Sequence, residues 1–72
     1  MSHGAGTDAL VRMVNQIARN VSPGSPEVAA SQTASHLNSF WAPSMRAALL
    51  EYVASGGAGL DDVALAALSE VR

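Results

Sequence analysis

Cysteine is absent from this 72-residue chain, so no disulfide can staple it and no thiolate can hold a metal. Lysine is absent too, and four arginines against six carboxylates leave a formal net charge of -2. That balance supplies neither the basic face nor the counterion release that nucleic-acid binding needs. No apolar run approaches the length of about eighteen residues that a membrane span requires. The opening MSHGAGTDAL carries neither the basic start nor the apolar stretch of a signal peptide. The expectation is a soluble, cytoplasmic protein with neither nucleic acid nor membrane as a partner. Aromatics are scarce: one Phe, one Trp and one Tyr, with Phe40 and Trp41 adjacent and Tyr52 not far beyond.

What is present is short apolar patterning rich in small residues. Hydrophobic residues make up 49% of the chain, but alanine is their largest share. Full burial of a Leu or Phe contributes about 1.5–3 kcal/mol and of an Ala much less, against about 1–2 kcal/mol of backbone entropy per ordered residue. The expected core is thin. A chain of this kind leans on a partner, or on copies of itself, for part of its stability.

Residues 1–6 read as a flexible tail, leaving 7–72 as a single small helical domain. Leu10, Met13, Val14, Ile17 and Val21 follow helical spacing, which predicts a first helix over 8–20 capped by Thr7 or Asp8, with Arg12, Asn15, Gln16 and Arg19 on its polar face. SPGSPE, residues 22–27, is a turn that also writes a helix start: Ser25 as N-cap, Pro26 at N1, Glu27 in the first turn. The second helix is predicted to run to about Phe40. Pro43 drives the residue before it out of the α region, so a third helix is predicted over 43–55, with Met45, Ala48, Leu49, Tyr52 and Val53 on one stripe. GGAG, residues 56–59, reads as a left-handed C-cap and link. Asp61 then caps a last helix, with a staple between Leu60 and Leu65. The predicted class is all-α, a small bundle of three to four short helices joined by Pro- and Gly-rich turns.

Candidate catalytic chemistry does not assemble. His36 has no second ligand at i, i+4 spacing, Asp61 and Asp62 are explained by capping, and GGAG follows a helix rather than a strand and lacks a downstream lysine. No catalytic, cofactor or metal residue is predicted. The aromatics remain. Neighbours on a helix diverge by about 100°, so Phe40 and Trp41 fit one narrow stripe only if the helix breaks between them. Phe40, with Leu37 and Leu49, is expected to glue the second and third helices together; Trp41, Pro43, Met45, Arg46 and Tyr52 are expected to form the partner-binding surface. Arg46 stands in the first turn of the third helix, where the macrodipole disfavours a cation, and a carboxylate partner is expected for it. Trp41→Ala is accordingly expected to weaken partner retention more than it unfolds the chain.

Three segments, LVRMVNQIA (10–18), HLNSFWAPSMRAALLEYV (36–53) and GGAGLDDVALAAL (56–68), resemble in order and spacing the delta subunit of NAD-dependent, molybdenum-containing formate dehydrogenases. That family is expected to carry MANQI, FWDPRMR and GG-x-GL-x-P-x-x-x-AL at these places. Ala42 and Ser44 stand where the family has Asp and Arg, so the third helix loses its side-chain N-cap, at a cost of about 0.5–2 kcal/mol. Asp62-Val63 replaces an apolar-Pro start of the last helix. The resemblance implies a cytoplasmic complex that oxidises formate to carbon dioxide and reduces NAD+. In it, bis-molybdopterin guanine dinucleotide, iron–sulfur clusters and FMN reside in other subunits, and this chain supports the catalytic alpha subunit without a cofactor. Two alternatives stand beside it: a chaperone for molybdenum cofactor insertion, and a free-standing homo-oligomeric helical module that self-associates when isolated.

Overall fold

Proline and glycine set where the helices begin and end. A computed structural model of the protein describes residues 4–21 and 25–71. Its helices are α1 (Gly4–Asn20), α2 (Pro26–Phe40), α3 (Pro43–Ala54) and α4 (Asp62–Leu68), and no strand occurs among the described residues. None of the helices is long and apolar enough to cross a membrane.

α1 starts one turn earlier than its pattern predicts. Gly4–Gly6, expected in the tail, are helical, and Thr7 and Asp8 stand inside the helix rather than at its cap. Propagating an existing helix costs little per residue, and nothing between Gly4 and Asp8 blocks it. Residues 1–3 of the expected tail, and Ser22–Gly24 of the SPGSPE turn, lie outside the described residues. α2 begins as predicted: the Val28 N–H donates to the Ser25 hydroxyl oxygen at 3.2 Å, with Pro26 in the first turn.

α2 buries Ala29, Ala30, Thr33, Ala34 and Leu37, and α4 buries Ala64, Ala67 and Leu68. Small side chains on both let the two helices approach closely. They run parallel: Pro26 and Glu27 face Val63 and Ala66 at one end, and at the other the Asn38 side-chain amide donates to the Glu70 carbonyl at 3.2 Å. Thr33, fully buried, satisfies its hydroxyl by donating to the Ala29 carbonyl at 2.8 Å. Val11, Val14 and Ala18 of α1 and Leu49 of α3 close the core. Its largest fully buried side chains are Leu37, Leu49, Val14 and Thr33, so the core is as thin as the composition implies.

α3 ends in a Schellman arrangement: the Gly56 N–H donates to the Val53 carbonyl and the Gly57 N–H to the Tyr52 carbonyl, both at 3.0 Å. Gly57 has φ +67°, and a Cβ there would stand 3.3 Å from the Leu65 side chain and 3.6 Å from that of Leu60. The positive φ favours glycine there, and any larger residue would also push the Leu65 side chain aside by a few tenths of an ångström. Beyond it, the loop is tied to α1. The Asn15 amide donates to the Gly59 carbonyl at 2.9 Å, and its oxygen accepts from the Asp61 N–H at 2.9 Å. Asp61 holds the N-cap position of α4 but makes no side-chain cap there; its carboxylate instead pairs with Arg19 Nε at 3.2 Å. Asn15 and Arg19, one turn apart on the predicted polar face, together clamp this loop.

Candidate docking surface

The α2–α3 joint is two residues long, Trp41 and Ala42, and proline dictates its shape. Both adopt extended backbone, at φ -85°, ψ 142° and φ -63°, ψ 148°, as expected before Pro43. The Trp41 N–H still donates to the Leu37 carbonyl at 3.0 Å, while the N–H groups of Met45 and Arg46 already reach the Ala42 carbonyl at 3.0 and 3.2 Å. One helix therefore ends and the next begins with almost no chain between them.

Arg46 secures the joint. Its Nη1 donates to the Trp41 carbonyl at 2.6 Å and lies 3.4 Å from the Asn38 carbonyl. These are carbonyls of the last turn of α2, the negative end of that helix's dipole. The cation disfavoured at the start of its own helix is thus held by the end of the preceding one. These carbonyl oxygens offset the field for which a carboxylate partner was expected.

The two adjacent rings take opposite roles to those predicted. Trp41 is 7% exposed and belongs to the core with Leu37 and Leu49; Phe40 is 76% exposed. The helix does end between them, yet Trp41 still points inward. Trp41 lies four residues after Leu37 and seven after Ala34, so it extends the buried stripe of α2 even as the backbone leaves the helix. The larger ring also removes more apolar area from water. Phe40 lies one turn after His36, on the open side, and stacks on its ring with centroids 4.9 Å apart and planes tilted by 46°.

Among the expected surface residues, Pro43 is exposed, Met45 and Arg46 are half-buried, and Tyr52 is half-buried with its hydroxyl donating to the Ala58 carbonyl at 2.7 Å. Met45 and Tyr52 pack against the core. Trp41 and Tyr52 are therefore chiefly internal. Phe40, Ala42 and Pro43, all exposed along the joint, are what this end of the molecule presents. The other exposed large apolar residues, Met13, Val28 and Leu65, are each less than half exposed. The amino-acid sequence does hold a signal that singles out Phe40: the four-residue step from Leu37 leads to Trp41, whereas the same step to Phe40 starts from the polar His36.

A family model described as NADH-dependant formate dehydrogenase delta subunit FdsD matches residues 9–68. No curated protein and no solved structure gives a significant match. The matched span takes in all of α2, α3 and α4, with the α2–α3 and α3–α4 joints.

Proposed function

Because the chain belongs to the delta-subunit family of NADH-dependent formate dehydrogenases, we propose that it is an accessory subunit of such a cytoplasmic complex, docking on and stabilising the molybdenum-containing catalytic subunit while taking no part in the chemistry. In this reading formate oxidation, NAD+ reduction and the molybdopterin, iron–sulfur and flavin groups belong to the other subunits.

The observation that carries the docking reading is the exposure of Phe40 on a joint locked by Arg46. An aromatic side chain held on a stiff backbone loses little entropy on binding, and centrally placed aromatics are frequent hot spots. Burying it in a partner pocket is worth about 1.5–3 kcal/mol, which is about one to two decades of affinity. The thin core supports the stabilisation half of the reading from the other side, since a chain with few large buried side chains gains from contact with a larger one.

The test is co-expression of the catalytic subunit with the wild-type chain, with Phe40→Ala, and with no small chain. Co-purification, molybdenum content and specific activity are measured. Phe40→Ala is expected to leave the isolated chain folded and to reduce its retention by about 10–100-fold in affinity. Equal retention of this variant would remove Phe40 from the interface.

A further inference from the structure

A second surface lies on the other side of α2. Asn38 and Phe40 are two residues apart and so point about 160° apart around the helix, and the Asn38 side faces the seam with α4. Two open hollows lie along that seam, of about 130 and 290 Å³. Positions 27, 31 and 35 of α2 recur every fourth residue, as do 62 and 66 of α4 and 70 in the turn after it, so each set forms one ridge. The two hollows share no lining residue, but both are bordered by these ridges and follow one another as a furrow along the seam.

Its two ends differ in chemistry. The first hollow is walled by Pro26, Val63 and Ala66 and is aliphatic; the second presents the hydroxyls of Ser31, Ser35 and Ser39. Carboxylates border both, Glu27 and Asp62 beside the first and Glu70 beside the second. All three are exposed, and among the described residues none has an ion-pair partner. Between them, from Val28 to Phe40, α2 carries no Asp, Glu, Lys or Arg. From position 27 to position 38 the furrow runs about 16 Å at the helical rise.

We propose that this furrow receives a helix of another subunit of the complex. That helix places an aliphatic side chain in the Pro26–Val63–Ala66 hollow and small polar side chains against the serines, and it carries a basic residue at each end, about three turns apart. Charge complementarity selects this occupant: the centre of the furrow is neutral, as the core of an interface is, and its ends are acidic, which steers a basic-ended helix into register. The inference rests on the reading of the chain as a subunit, but it uses a face that Phe40 does not share.

The experiment measures the affinity of the full chain for the rest of the complex, from low to high salt, for four forms: wild type, the triple variant Glu27→Gln/Asp62→Asn/Glu70→Gln, Ala66→Gln and Phe40→Ala. All the positions changed are exposed, so helix content is expected to match wild type in each. Wild-type affinity is expected to fall about tenfold as salt rises; the triple variant binds about tenfold more weakly at low salt and loses the salt dependence. Ala66→Gln, which fills the aliphatic hollow without changing charge, weakens binding about tenfold at every salt concentration. Unchanged affinity in the triple variant and Ala66→Gln, with Phe40→Ala still released, overturns the furrow and leaves the Phe40 reading standing. A wild-type chain that does not associate with the complex overturns both. Self-association of the isolated chain with the same charge and Ala66 dependence assigns the furrow to a second copy and overturns it as well.

Discussion

The α2–α3 and α3–α4 joints of this protein achieve rigidity by opposite means. Between α2 and α3 the turn is two residues long and shaped locally: Pro43 restricts Ala42, and one side chain from the next helix, Arg46, holds the carbonyls in place. Between α3 and α4 the loop is longer and rests on glycines at positive φ, Gly56, Gly57 and Gly59. Glycine restricts nothing by itself, so the restraint comes from elsewhere, from Asn15 and Arg19 on α1 and from the Tyr52 hydroxyl. A proline joint carries its conformation in its own covalent geometry, whereas a glycine joint borrows its conformation from neighbours. The first is therefore free to hold an aromatic out to solvent. The second uses its contacts to stay where it is.

The comparison breaks most visibly at Trp41. Trp41→Ala removes the largest side chain of the first joint from the core and is expected to destabilise the chain by about 3–5 kcal/mol, read as a loss of cooperative thermal unfolding, where Phe40→Ala shifts stability by less than about 0.5 kcal/mol. That ordering reverses the one expected from sequence, and a Trp41→Ala chain that melts like wild type would restore it. The glycine joint should yield next. Asn15→Ala removes both hydrogen bonds that tie the loop to α1, for a cost of about 1–3 kcal/mol, and amide exchange should accelerate at Asp61 while staying slow at the N–H groups of Met45 and Arg46. If both joints lose protection together, the loop is not held independently and the contrast between them fails. The smallest effect belongs to Arg19→Gln. Arg19 and Asp61 form an exposed pair, so about 0.2–1 kcal/mol is expected from it, vanishing at high salt; a larger, salt-independent loss would show that the ion pair rather than the Asn15 amide secures the loop.

Most of the architecture was legible because its punctuation is local. Ser25-Pro26, Ala42-Pro43 and Gly56-Gly57 mark helix ends through φ restrictions and capping bonds that act within a few residues, and all three function where the sequence places them. Asp61 shows the limit of that reading. Its position as N-cap was readable, but its carboxylate had two competing partners, the first turn of α4 and Arg19, and only the packing of α1 against the loop brings the second within reach. Asn15 reads in sequence only as part of a polar face for the same reason: its partners, Gly59 and Asp61, are 44 and 46 residues away in sequence.

The order and ends of α2 and α3, the thinness of the core and the absence of thiolate and lysine chemistry follow from the amino-acid sequence by itself, since each rests on residue type or on interactions a few residues apart. The family, too, is carried by segments read in order along the chain. Which of Phe40 and Trp41 faces outward was decided by tertiary structure. Trp41 keeps the direction of the Leu37 stripe, and that this stripe rather than the His36–Phe40 one is buried depends on the space left by Leu37, Leu49 and the close packing of α2 with α4. The furrow between α2 and α4 is a tertiary property as well: the residues that face each other across it, Glu27 with Asp62 and Ser35 with Glu70, are 35 residues apart in the chain, and only the parallel packing of the two helices sets the three carboxylates along one seam.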